Sequence, residues 1–336
     1  MPKVRFRRVA AVALAGLLLL GQALADVSTD ISPLPWDDSP GCQPNPAEYT
    51  ETGFYDASLK VDITKYRRDE ADYYVAQVDV KHPSQLRTGM AGILNRNSGT
   101  ITDMAKAYNA VLAINGDDYT QRDVGLTVRQ GVTLRNKTSN LYDMLLIDSN
   151  GDFHIVKRDN LDMLDFYLSG GLDIRNVFSF GPALVIDGEK QEIPEKYSFA
   201  PHYKNPRAAI GQLGPLSYVC VVVDGRSDDN AGVTLEALAD FMASIGCQQA
   251  FNLDGGNSAT LVLNGKIYNG KSESNERSVS DIIYFATSVD PVNWYAVKNA
   301  RSQMRREVCN DLCVLSLFRV KGFAFREASH AAIRSR

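Results

Sequence analysis

Apolar residues gather in short runs at 59–63, 73–80, 111–114, 145–147, 183–186, 208–210, 219–223, 260–263 and 282–285, most of them β-branched or aromatic. Gly, Asn or Asp bounds most of them, and runs of that length and composition predict strands. The period changes over 234–245, where Leu235, Leu238, Ala239, Met242 and Ile245 fall on one helical face and Gly246 is placed to stop the helix. A second, weaker helix is predicted over 103–110. Many strands with few helices, and no regular alternation between them, predict an α+β fold: a mixed, strand-rich sheet in a single large domain at residues 49–290.

Composition narrows the class. At 44% hydrophobic and 23% charged residues in a chain of 336, usage is ordinary for a globular protein and excludes disordered, collagen-like and coiled-coil chains. The net charge of -4 conceals basic segments at both ends, and residues 26–297 alone carry -14. So acidic a domain repels a nucleic-acid backbone, and no nucleic-acid partner is expected.

Lys3, Arg5, Arg7 and Arg8 precede an apolar stretch at 9–20 that ends in Ala23-Leu24-Ala25. This predicts a signal peptide at 1–25, cleavage before Asp26, and export to the periplasm or the medium. The stretch is short for a bilayer, so no membrane span is expected after processing. A Pro-rich linker is predicted at 26–48, and a basic, helical C-terminal tail at 291–336. Five cysteines are an odd number; Cys220 and Cys247 sit in apolar patterns and read as buried thiols, spaced wrongly for zinc.

Where several apolar runs stop, carboxylates and amides appear next to Gly or Arg, as when rigid strands present polar groups to a cleft. The segments are Ile114-Asn115-Gly116-Asp117-Asp118-Tyr119, Asn205-Pro206-Arg207, Val223-Asp224-Gly225-Arg226 and Asn252-Leu253-Asp254-Gly255-Gly256-Asn257-Ser258. Read singly, Asp-Gly and Asn-Gly are turn dipeptides. Read in order, together with Ser179-Phe180-Gly181-Pro182, Gly232-Val233-Thr234-Leu235-Glu236 and Glu276-Arg277-Ser278-Val279-Ser280-Asp281, they resemble the phosphodiester glycosidase family. Three positions depart from the family pattern: Asp117 for a second Gly, Ala208 for Thr, and Asn257 for Gly.

The resemblance implies hydrolysis of a glycosyl-1-phosphodiester between the anomeric carbon and the phosphate oxygen, on a cell-envelope glycan or exopolysaccharide. Glycosyl cleavage ordinarily uses a carboxylic acid on the leaving oxygen and a second carboxylate as base or nucleophile. A phosphate monoester leaves as a weak base, so charge stabilisation outweighs acid assistance. Arg207, Arg226 and Arg277 then supply guanidinium forks for phosphate, and Asp224 and Asp254 become the base or nucleophile and its partner. Asn115, Asp117, Asn252 and Ser258 are the candidate sugar contacts, while the amides of Gly255 and Gly256 are expected to cradle phosphate. Glu236 is expected to orient Arg226 or to cap its own helix. Arg207, Asp224, Arg226 and Asp254 should converge on one cleft.

No cofactor is expected, although Asp117-Asp118 leaves a divalent cation open. The 4 histidines all fall outside the motifs, which speaks against a Ser-His-Asp hydrolase or a His-ligated metal enzyme. The alternative is a non-catalytic carbohydrate-binding module on the same fold.

Overall fold

The computed structural model describes residues 31–271 and 273–289, all within one compact unit; the expected signal peptide and basic tail lie outside the described residues. The strands form three sheets, and every pairing among the described residues is antiparallel. This is the α+β class read from the sequence, with the strands divided over three sheets. The largest has nine strands, whose centre runs in the order Ala71–Val80, Ser217–Val223, Arg207–Gly214, Gln249–Leu253, Ala183–Ile186.

That centre is buried on both faces, which explains its nearly unbroken apolar runs. Cys220, Val222, Ala208, Ile210, Phe251 and Leu253 pack into the main core with Ile147, Ile114 and Ile283 of the two five-stranded sheets. The alternate residues Val219, Val221, Val223 and Ala209 face the helix Leu235–Ser244 through Leu235, Leu238, Ala239 and Met242. Thr234 caps that helix by accepting from the Ala237 amide, and Gly246, at φ +87°, follows its last turn.

Differences from the predicted elements have local causes. The expected helix at 103–110 lies earlier, at Ile101–Ala107, because the Thr100 hydroxyl accepts from Asp103 N–H and starts it there. The short helix Asp162–Ser169, not predicted from the sequence, buries Leu164, with Met163 and Tyr167 half-buried beside it. Part of the predicted linker is packed rather than free. Leu34 is buried in a core cluster, and the Asp37 carbonyl accepts from the guanidinium of Arg87. Cys220 and Cys247 are buried thiols.

Strand register sets the geometry of the site. Arg207 pairs with Val223 and Ala208 with Leu253. Asp224, Arg207 and Asp254 therefore emerge from adjacent strand ends, with the Arg207 strand in the middle. Asp224 and Asp254 are two strand spacings apart, roughly 10 Å.

Candidate active site

Pro206 is wedged between two glycine turns. A Cβ on Gly225 would lie 2.8 Å from its nitrogen, and one on Gly255 2.8 Å from its oxygen. The Gly256 amide is donated to the Pro206 carbonyl at 2.9 Å. The glycines expected to cradle phosphate thus serve first to let the Asn205–Pro206 backbone approach, and the Gly256 N–H is already engaged.

A cleft of about 480 Å³ opens beside them, with Asp254 as its single acidic lining residue, and Arg207, Arg226, Arg277, Asn205 and Asn252 around it. Burial raises the Asp254 carboxyl above its usual range, while Ser258 and Arg277 pull against that shift and Asp118 adds to it. Arg277 reaches Ser258 Oγ at 3.2 Å, Asp118 Oδ2 at 3.3 Å and Asp254 Oδ2 at 3.7 Å. Its neighbour Glu276 instead accepts from Thr102 N–H. Asn252 lines the cleft and donates to the Gly181 carbonyl at 2.7 Å, and its buried Oδ1 has no hydrogen-bond partner among the described residues. Such an acceptor is costly unless a ligand hydroxyl or water completes it.

Two aromatic rings also line the cleft. Phe180 and Phe199 stack with centroids 4.0 Å apart and planes 7° from parallel. Phe199 and Ala200 both have left-handed backbone, φ +70° and +50°, a costly pair that the surroundings must enforce. Arg207 supplies the constraint. Its guanidinium donates to the carbonyls of Phe199, Ala200, Tyr203 and Val233 at 2.8–3.3 Å. The fork expected to bind phosphate is therefore mostly spent on backbone, and burial, with Arg226 nearby, lowers this guanidinium to about 10. Arg207→Lys keeps the charge but loses the fork. It is expected to destabilise the protein by about 2 kcal/mol in urea unfolding, the value of one or two charge-assisted bonds, and to raise KM for any ligand resting on Phe199.

Other expected positions fall elsewhere. Asp224 lies across the Arg207 strand, in a neighbouring pocket, and accepts from Asn269 Nδ2 at 2.8 Å and Gly270 N–H at 2.9 Å. The four-residue convergence therefore holds for Arg207, Arg226 and Asp254 and not for Asp224, because the strand order separates the two aspartates. Glu236, exposed in the first turn of its helix, pairs with Lys190 and not with Arg226. Asn115 is fully buried, its amide donating to the carbonyls of Gly116 and Asp254. Asp117 is equally buried and meets Arg129 at 2.6 Å, Arg122 at 3.2 Å and Ser179 N–H at 2.9 Å. Both residues support the cleft from behind and do not line it. Arg226, itself in left-handed backbone at φ +60°, is exposed and held by Asn205 Oδ1 at 2.8 Å and Asn257 Oδ1 at 3.4 Å.

Sequence reading missed Arg129, Arg122, Phe199 and Lys271. Arg129 is wholly buried between Asp117 and Asp281 and lies 4.0 Å from the Phe178 ring centroid. Arg122 sits over the rings of Phe180 and Tyr142. A signal for the arginines existed: carboxylates at the ends of fully apolar strands demand buried cations.

The model of the phosphodiester glycosidase family matches residues 108–286, the segment that supplies Asp117, Asp254, Arg226 and Arg277. The chain belongs to this family. Among solved structures, the catalytic domain of zebrafish N-acetylglucosamine-1-phosphodiester alpha-N-acetylglucosaminidase, auto-inhibited by its pro-peptide, aligns with TM-score 0.53 and 21% identity over 77% of this chain and 99% of that one. At that identity it shares the fold of this family member. An uncharacterized SPbeta prophage-derived protein of Bacillus subtilis, YomE, is 31% identical over 192 residues, 56% of this chain. Only 29% of that relative's length is spanned. Of the three departures from the family pattern, Asn257 lines the cleft and holds Arg226, Asp117 joins the buried arginine network, and Ala208 packs in the main core.

Proposed function

We propose that this family member hydrolyses the bond between the anomeric carbon and the phosphate of a glycosyl-1-phosphodiester. The observation carrying this reading is the cleft's composition: one half-buried carboxylate, Asp254, among arginines, beside Asn252, whose Oδ1 has no partner among the described residues, and a pair of stacked aromatic rings. The sugar rests on Phe199 and donates a hydroxyl to Asn252. The phosphate lies against Arg226 and Arg277, whose charge stabilises the leaving group. Asp254, ionised, takes a proton from the water whose oxygen bonds to C1; the C1–O bond breaks and its electron pair stays on the phosphate. The products are the free sugar and a phosphate monoester of the alcohol. No cofactor enters this scheme.

The deciding experiment sets chromogenic sugar-1-phosphodiesters against the same sugars as plain glycosides. Turnover of the diesters alone supports the proposal; binding without turnover of either would make the chain a carbohydrate-binding module. Export to a glycan-phosphate of the cell envelope completes the proposal, supported by the basic-then-apolar segment before Asp26. Intact mass of the exported chain checks the cleavage after Ala25.

The pH dependence follows from Asp254. A base must be ionised, so kcat/KM falls as pH drops through its pKa. Because burial holds that pKa above the ordinary 3.8, the acid limb should begin at higher pH than for an exposed aspartate. A pH–rate profile that stayed flat down to pH about 4 would deny Asp254 this role.

A further inference from the structure

The three arginines of the cleft are held in two different ways. Arg277 stands between the carboxylates of Asp118 and Asp254, so its charge is answered inside the protein. Among the described residues, Arg207 and Arg226 are held by neutral oxygens alone. Arg207 donates to four backbone carbonyls, and Arg226 to the side-chain amides of Asn205 and Asn257. Burial lowers the Arg207 guanidinium, and the neighbouring Arg226 adds to that shift. Two like charges side by side with no carboxylate on either leave a positive field over the cleft, which an anion would relieve.

Asn205 links the pair. Its Oδ1 accepts from Arg226 Nη2 at 2.8 Å and from Nε at 3.2 Å. Its Nδ2 donates at 3.3 Å to the Tyr203 carbonyl, which also accepts from Arg207 Nη2, and this turns the amide so that its oxygen faces Arg226. The backbone is fixed as well: Asn205 and Val233 exchange hydrogen bonds in both directions, and a Cβ on Gly232 would lie 2.5 Å from the Asn205 carbonyl. An aspartate has nearly the same shape and would accept from the same two Arg226 donors, so holding the fork does not require an amide. Keeping the charge does.

We infer that Asn205 is a positioning residue whose neutrality matters: it fixes the Arg226 fork without neutralising it, and so lets the cleft select an anionic phosphodiester over a neutral ligand. Asn257 adds a weaker neutral contact, to Nη1 at 3.4 Å. The effect on turnover rests on the proposed hydrolysis; the retained charge rests on the cleft itself.

The test uses the full chain and two readouts. In NMR titrations, dimethyl phosphate, a monoanion without an anomeric carbon, should bind the parent, and Asn205→Asp should weaken it about tenfold, the scale of one charge-assisted hydrogen bond. Trimethyl phosphate, its neutral counterpart, should bind parent and variant alike. Were the amide only a brace for the fork, the variant would hold Arg226 at least as well and anion affinity would not fall. In turnover, Asn205→Asp should lower kcat/KM for a sugar-1-phosphodiester further, by about 10²-fold, because charge on the phosphate grows as the C1–O bond breaks. Asn257→Asp, on the exposed side, should weaken dimethyl phosphate about threefold and serves if the first variant does not fold. Unchanged dimethyl phosphate affinity in a folded Asn205→Asp variant, or no preference of the parent for the anion, would overturn the inference. Loss of dimethyl phosphate affinity without turnover of any diester leaves the inference standing and removes the proposed hydrolysis. Turnover of diesters by folded Asn205→Asp at the parent kcat/KM does the reverse.

Discussion

Asp254→Asn is expected to lower turnover of a sugar-1-phosphodiester by about 10³-fold or more, within the range of a positioned acid–base group. The amide is nearly isosteric and cannot take a proton from water. Among the described residues no other carboxylate lines the cleft to replace it, since Asp224 lies across a strand and Asp118 is buried against Arg277 and the Ser280 amide. Stability should change by less than about 1 kcal/mol, because the partly buried carboxylate already works against its own desolvation. Steady-state kinetics and a melting curve on the same preparation separate the two effects. A folded variant turning over at the parent rate would move the chemistry away from Asp254.

The largest effect on stability belongs to Arg129→Leu. Arg129 is fully buried and donates to Asp117 at 2.6 Å, to Asp281 at 2.8 Å and 3.1 Å, and to the backbone of Val128 at 3.0 Å and of Val177. Burial, with the Asp117 charge beside it, drives the Asp281 carboxyl upward, and Arg129 pulls it back. Removing the cation leaves two buried carboxylates facing each other, with Asp117 held by Arg122 and the Ser179 N–H and Asp281 by the Ser280 hydroxyl, and breaking such a buried pair costs about 3–5 kcal/mol. Urea unfolding measures it. Adding Asp117→Asn and Asp281→Asn to Arg129→Leu should recover much of the loss, since the uncompensated charges go with it. A single variant within about 1 kcal/mol of the parent would mean that water enters and satisfies the carboxylates.

Much of the site was legible because strand ends announce themselves: an apolar run stops and a carboxylate or amide follows, as at Leu253-Asp254 and Val223-Asp224. The direction each group takes was not. Asp224 and Asp254 look equivalent in sequence, and only the placing of the Arg207 strand between theirs assigns them to different pockets. Arg207 reads as a phosphate ligand because four carbonyl acceptors, three from the loop 199–203 and one from Val233, leave no trace in the motif. Phe199 was invisible for the same reason, since its left-handed backbone is imposed from a distance. The strand Gln249–Leu253 escaped prediction because Asn252 interrupts its apolar pattern, and that interruption is the orphan acceptor at the cleft wall.

The strand between the two aspartates has a kinetic consequence. Were a diester to span both pockets, it would be held at two places through one phosphorus, and each half would present the other at a high effective concentration. Hydrolysis would cut that tether and leave one half in each pocket, and the loss of avidity would empty the site without any lid having to open.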